Sequence, residues 1–242
     1  MSSWTHEPRY QSARCLMCGC CLEVCPNFSA NGTFAGAVAA VNAFRILNEE
    51  QERLEFLDKG FQGASLRNIV KEAGVTTASF YWYYSSKEEL YDALVGEHYN
   101  HILQMYDDAL ELFWKMTKED QKLHMGDIGG QCMVDMVEYM YSHLTAFKML
   151  LIASAGTKYE NLLHELTQRE IDSTHEFEKH MKELGHPMGT QVEPALEHSI
   201  TSGMFGGMFE LVIHDVPKEK AVRCVRQLHA FYTAGWRKLM GM

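Results

Sequence analysis

The stretch from Gly63 to Leu90, "GASLRNIVKEAGVTTASFYWYYSSKEEL", admits few structures. Leu66, Ile69 and Val70 recur at helical spacing behind Ser65, a good capping residue, and Gly74 is placed to end that short helix. Thr76 caps a second short helix over "TASFYWYY". Ser86, with Glu89 three residues on, forms a capping box from which a third and much longer helix runs as far as "DALELFW". Two short helices joined by Ala73, Gly74 and Val75 spell a helix-turn-helix.

Such a unit reads DNA by presenting the first turn of its second helix to base edges, so that turn must be small enough to enter the major groove. Thr76, Thr77, Ala78 and Ser79 are all small. The hydroxyls of Thr76 and Thr77 can donate to phosphate, and the free amides of a first helical turn favour anions. Lys87, opening the next helix, is a natural phosphate partner. The aromatic run from Phe80 to Tyr84 cannot all face one way on a helix.

Helical periodicity extends in both directions. Upstream, "FAGAVAAVNAFRIL" follows one face through Val38, Val41, Phe44 and Leu47, gives way to the polar run Asn48 to Arg53, and resumes with Leu54, Leu57 and Phe61. A helix from about 36 to 59 is expected, with Gly60 ending it. From about residue 100 onward, "MGDIGG", "GHPMG" and "HDVPKE" read as turns between helical segments, without strand-type alternation. The last two segments, about 192 to 214 and 217 to 240, include "SGMFGGMFELVI", apolar nearly all round with small residues at Gly203, Gly206 and Gly207. That suits a helix buried between neighbours or at a subunit interface.

A chain of 242 residues, 46% of them hydrophobic, can bury a core. The net charge of −10 argues against a molecule coated in basic surface, so any nucleic-acid contact must be local. "MSSWTHEPRY" does not read as a secretory signal, and no apolar run approaches the roughly 18 to 20 residues of a membrane span. The expectation is a cytoplasmic protein without a membrane partner.

The segment "GFQGASLRNIVKEAGVTTASFYWYYSSKEELYDALV" resembles the helix-turn-helix of TetR-family bacterial transcriptional regulators: the Gly-Phe turn, the Ser-led helix, Ala-Gly-Val, the Thr-capped aromatic helix and Ser-Lys-Glu-Glu-Leu. "AGWRKLMG" is similar to the close of many such proteins. The resemblance covers about residues 54 to 242, specifically in its first part and loosely thereafter. It implies a homodimer that binds a palindromic double-stranded DNA operator, with Tyr81 and Tyr83 on the contacting face and Phe80 and Tyr84 inward. It also implies a small ligand that releases the DNA. Met133, Met136, Tyr139, Met140, Phe147 and Met204 are candidates to line an adaptable apolar ligand pocket.

Five of the seven cysteines cluster near the N-terminus. Cys15, Cys18, Cys21 and Cys25, followed by Pro26, fit the ferredoxin spacing C-x2-C-x2-C-x3-C-P, in which three thiolates converge on one iron-sulfur cluster. The surrounding sequence, over about residues 1 to 50, resembles the C-terminal domain of the iron-sulfur subunit of succinate dehydrogenase or fumarate reductase. In that family a second cysteine motif completes the set, and this chain has none. The ligand set is therefore incomplete unless Cys132, Cys224, another subunit or a non-cysteine group completes it. Two readings stay open: a redox-sensing regulator or electron-transfer protein, and a join that carries remnant cysteines. The polar run Asn48 to Arg53, where TetR-type proteins carry apolar positions, favours the join.

"HEFEKH", His175 to His180, is one residue longer than a zinc-protease motif, which sets its histidines about 140° apart on a helix. No nucleophile with a base, phosphate loop or paired carboxylates stands out, so an enzyme is not expected. The expected fold is all-α: a cysteine-rich ferredoxin-like segment over residues 1–52, a helix-turn-helix DNA-binding head over 53–98, and a helical ligand-binding and dimerisation domain over 99–242.

Overall fold

The computed structural model describes residues 50–72, 77–81, 84–186, 189 and 192–241. The cysteine segment and most of the helix expected upstream of residue 54 lie outside the described residues. Every regular element among the described residues is helical: α1 Glu50–Gly63, α2 Leu66–Glu72, α3 Thr77–Tyr81, α4 Lys87–Trp114, α5 Lys118–Leu123, α6 Asp127–Ser142, α7 Leu144–Lys148, a π-turn over Met149–Ala153, α8 Leu162–Glu183, α9 Pro194–Ile213 and α10 Lys218–Met240. The helix starting just after Ser86 falls where the capping box places it, and the last two segments fall where periodicity places them.

The described chain divides into two compact units. One runs to Gly96 and includes Ala153–Thr157; the other comprises Glu97–Ile152 and Lys158–Met242. In the first, α1 supplies Phe56 and Phe61, α2 Ile69 and Val70, α3 Phe80, and α4 Leu90, Tyr91, Leu94 and Val95, all buried. Tyr91 meets Phe56 and Phe61 edge-on, each with ring centroids 5.1 Å apart. Edge-to-face pairs of this kind add about 0.5–1.5 kcal/mol beyond the area they bury.

Local chemistry fixes the angles between these short helices. Gly60 takes φ +69° and ψ 168°, a non-helical backbone state that favours glycine, so the first helical run of α1 ends there as the sequence predicts and a second short run follows across a kink to Gly63. Nothing lies within 4 Å of where a Gly60 Cβ would stand, so backbone conformation alone demands the glycine. The buried Glu55 carboxylate accepts from the Ser65 amide and the Asn68 side chain, both at 3.2 Å, and so holds the start of α2 against α1. The capping box is present in shifted form. The Glu89 amide donates to Ser86 Oγ at 3.2 Å, while Glu89 Oε2 accepts from the amide and hydroxyl of Ser85, both at 2.6 Å. Those two bonds hold the Glu89 carboxyl below its ordinary pKa.

In the second unit α6 packs chiefly on α10 and α8 on α9, and α9 also lies along α10. The expected all-round apolar character of α9 has a concrete cause: a Cβ at Gly203 would stand 2.8 Å from the Tyr232 hydroxyl and one at Gly207 3.2 Å from Leu228, so both glycines admit α10. "MGDIGG" departs from expectation. Gly126 does turn, with φ +90°, but Asp127 to Gly130 form the first turn of α6. A Cβ at Gly130 would meet the His229 ring at 2.8 Å, which means that these glycines make room for a side chain of α10.

Candidate nucleic-acid interface and ligand cavity

Helix α3 divides its side chains as a reading helix should. Phe80 is fully buried and Tyr84, just beyond the helix, nearly so, their rings 5.4 Å apart, while Tyr81 is 56% exposed. Thr77 and Ala78 are exposed at its start. Ser79 lies within the helix; Thr76 and Tyr83 fall outside the described residues. Phe80 is thus the anchor that lets its neighbours face solvent.

Lys87 has an additional role that sequence reasoning missed. Its ammonium donates to the carbonyls of Phe61 at 2.5 Å and Ala64 at 3.0 Å, and lies 4.4 Å from the centroid of the Phe61 ring. It therefore serves the unpaired carbonyls at the end of α1, where a helix carries partial negative charge. The partly buried side chain thus ties the end of α1 to the start of α4.

The second unit holds a half-open cavity of about 110 Å3. Its walls come from α4 (Tyr106, Phe113), the start of α6 (Ile128, Gly129, Met133), α8 (Glu170, Thr174, Phe177), α9 (Met204) and α10 (His229, Tyr232, Trp236). Of the expected pocket residues, Met133 and Met204 line it. Met136, Met140 and Phe147 are fully buried in the core, and Tyr139 stacks among His98, His101 and His143, with its hydroxyl 2.9 Å from His98 Nδ1.

Sequence reasoning missed Glu170, the most polar group in these walls. Tyr106 donates its hydroxyl to Glu170, and burial pushes the Glu170 carboxyl above its ordinary pKa despite that bond. The signal for it was available: Glu170, Thr174 and Phe177, at i, i+4 and i+7, share one face of α8. Burial likewise lowers the pKa of His229, against the opposing pull of Asp127. Nearby, Arg226, Arg237 and Lys238 border an open groove that shares Met125, Gly126, His229 and Thr233 with the cavity.

Cys132 does not suit the role of a missing cluster ligand. Its thiol is buried, donates to the Met105 carbonyl at 3.5 Å, and is pushed up to about 12 by loss of water, whereas a cluster binds thiolate. Cys224 is partly exposed. Among the described residues no group of three or more His, Cys, Asp or Glu side chains could hold a metal ion. His175 pairs with Glu197 at 3.0 Å and His180 with Gln121 at 3.0 Å, so the two histidines of "HEFEKH" serve separate neighbours. No helix among the described residues is long and apolar enough to cross a membrane.

These two short helices, with an anchored aromatic behind exposed small residues, define a helix-turn-helix head joined to a helical domain. Residues 53–94 match the family model described as bacterial regulatory proteins, tetR family. A probable HTH-type transcriptional regulator of Bacillus subtilis, YttP, is 31% identical over 117 residues, covering 48% of this chain and 53% of that protein. The uncharacterized HTH-type transcriptional regulator YdgC of the same organism is 36% identical over 56 residues, 23% of this chain and 29% of that protein. An uncharacterized HTH-type transcriptional regulator of Haemophilus influenzae is 29% identical over 104 residues, 41% of this chain and 44% of that protein. The chain thus spans between 29% and 53% of the length of these relatives. Among solved structures, the TetR family transcriptional regulator PfmR from Thermus thermophilus superposes with a TM-score of 0.48 at 18% identity, covering 78% of this chain and 97% of that one.

Proposed function

We propose that the chain is a DNA-binding transcriptional repressor: a homodimer that grips a palindromic double-stranded operator through α3 and its flanks, and releases it when a small, largely apolar ligand occupies the cavity. Tyr81, exposed on a helix that Phe80 and Tyr84 pin from behind, carries this reading. Such a protein acts in the cytoplasm, where the chromosome is. Dimerisation through α9 and α10 is supported by Phe231, 73% exposed on α10, and by Gly206 on α9, which has open space in front of it within one protomer. Ligand control requires only that the ligand bind the DNA-incompetent arrangement more tightly.

Operator selection from a random duplex library followed by fluorescence anisotropy tests the reading. The selected sites should be palindromes with half-sites about one helical turn apart, and affinity should fall steeply with salt as phosphate contacts release counterions. Failure to enrich any duplex, or binding with no salt dependence, refutes it.

The ferredoxin spacing of Cys15, Cys18, Cys21 and Cys25 favours a second reading for the N-terminal segment, an iron-sulfur cluster that senses redox state or passes electrons. Stoichiometric iron and a visible absorption band in anaerobically purified protein would support it. Their absence would leave the cysteines as remnants.

A further inference from the structure

The cavity can be read for the chemistry of its occupant, an inference that rests on its proposed role as the regulatory ligand site. We propose that it selects a compact apolar amine, with the nitrogen held at the Glu170 carboxyl and the carbon skeleton packed against Phe113, Phe177 and Trp236. Among the residues lining the cavity Glu170 is the one acid, and no lysine or arginine is present. An organic anion would meet a carboxyl there with no cation to offset it. A hydrocarbon would leave the carboxyl facing a ligand that cannot hydrogen-bond, which costs the desolvation of that group.

An amine satisfies both the carboxyl and the rings. Burial shifts the carboxyl toward its protonated form, and Tyr106 already donates to it. Where the carboxyl holds its proton, a free-base amine takes that proton from oxygen onto nitrogen; where it is ionised, an ammonium pairs with it directly, and either route leaves a carboxylate beside an ammonium. Atoms and charge balance within the pair, and an ammonium close to aromatic faces gains further attraction. Entry as the neutral base also suits a groove edged by Arg226, Arg237 and Lys238, which would oppose a preformed cation. Arg237 is itself engaged, donating to the Met125 carbonyl at 3.0 Å.

Size narrows the class. An engineered cavity of about 150 Å3 admits benzene. A cavity of about 110 Å3 therefore takes a single small ring or a short branched chain.

Calorimetric titration of the full chain, without DNA, with cyclopentylamine, cyclopentanol, methylcyclopentane and cyclopentanecarboxylate tests the proposal. These probes are near-isosteric and differ mainly in charge and hydrogen bonding. Cyclopentylamine should bind at least tenfold more tightly than the other three. In Glu170→Gln, which keeps the shape and an acceptor for Tyr106, the amine and the alcohol should bind within about twofold of each other. Tyr106→Phe retains the carboxyl and should retain the amine preference. The proposal is overturned if the alcohol or the carboxylate binds as well as the amine, if Glu170→Gln keeps the preference, or if no probe binds the wild-type chain. Because no DNA is present, these outcomes are separate from operator binding: an amine-selective chain that enriches no operator would sink the repressor reading and leave the ligand class standing.

Discussion

Lys87 donates to the carbonyl oxygen of Ala64 at 3.0 Å, so the first residue of α4 closes the end of α1. The same ammonium reaches the Phe61 carbonyl and lies over the Phe61 ring. A substitution here consequently acts on the frame of the head as well as on any phosphate. Lys87→Ala should lower the unfolding free energy by about 1.5–3 kcal/mol, the range for hydrogen bonds to a charged group, measured by urea denaturation. Tyr81→Ala, at an exposed position, should stay within about 0.5 kcal/mol of wild type. In anisotropy titrations Tyr81→Ala should nevertheless weaken DNA binding at least tenfold. Unchanged DNA affinity in Tyr81→Ala would remove that residue from the interface.

The glycines of α6 and α9 make opposite predictions. At Gly126 the backbone sits at φ +90° and a Cβ would stand 2.8 Å from Thr233, so Gly126→Ala adds strain to crowding and should cost about 1–3 kcal/mol. Gly206 is helical with no atom within 4 Å of an added Cβ. Gly206→Ala should therefore stabilise an isolated protomer by about 0.5–1 kcal/mol through helix propensity. If α9 faces a second copy, the same change raises the dimer dissociation constant, which sedimentation equilibrium reads directly. An unaltered dimer with raised stability would move the interface away from Gly206.

The head was legible because each of its signals is local. Ser86 and Glu89 lie three residues apart, and the inward placement of Phe80 and Tyr84 follows from the angular spacing of one helical turn. What escaped depends on partners far away in sequence. Glycine in "MGDIGG" reads as a helix breaker unless His229, about a hundred residues on, is known to lie against it. Lys87 reads as a surface cation until the Phe61 and Ala64 carbonyls are placed beneath it. Periodicity counted Met136, Met140 and Phe147 as apolar without distinguishing a packed core from a cavity wall, and it passed over Glu170 because polar residues abound on α8.

Stability should depend on pH through Glu170. Its carboxyl titrates above the ordinary value of 4.5 in the folded protein, chiefly because burial penalises the charged form, with Tyr106 opposing. A raised acid pKa means that the folded state binds the extra proton. The contribution is therefore fully present below the unfolded pKa and is lost as pH rises through the folded one. Tyr106, Cys132 and His229 also face or sense this region: Tyr106 is held protonated well above its ordinary range, Cys132 likewise, and His229 loses its proton more readily than usual. Glu170→Gln removes the carboxyl titration alone. The thermal midpoint of Glu170→Gln minus that of wild type should grow as pH rises from about 4.5. A difference that stays flat with pH would show that Glu170 does not titrate in this window.

The N-terminal cysteines can be separated from the head by substitution. Among the described residues the first unit has its own core, with Phe56, Phe61, Ile69, Phe80 and Tyr91 in place and a Glu55 bond tying α1 to α2. Cys132, with its thiol pushed up to about 12, is a poor candidate to complete a cluster. Replacing all five N-terminal cysteines with serine should therefore leave the thermal midpoint within about 2 °C of the parent, since a change below about 0.5 kcal/mol shifts it by no more than that in a chain of this size. Circular dichroism and sedimentation should be unchanged. DNA affinity, measured in parallel on parent and variant prepared without oxygen, should agree within about threefold. A coupled sensor would instead show a tenfold or larger difference, matching a coupling of about 1.4 kcal/mol, together with stoichiometric iron in the parent alone. That pair of results would establish a redox switch and overturn the reading of the cysteines as remnants.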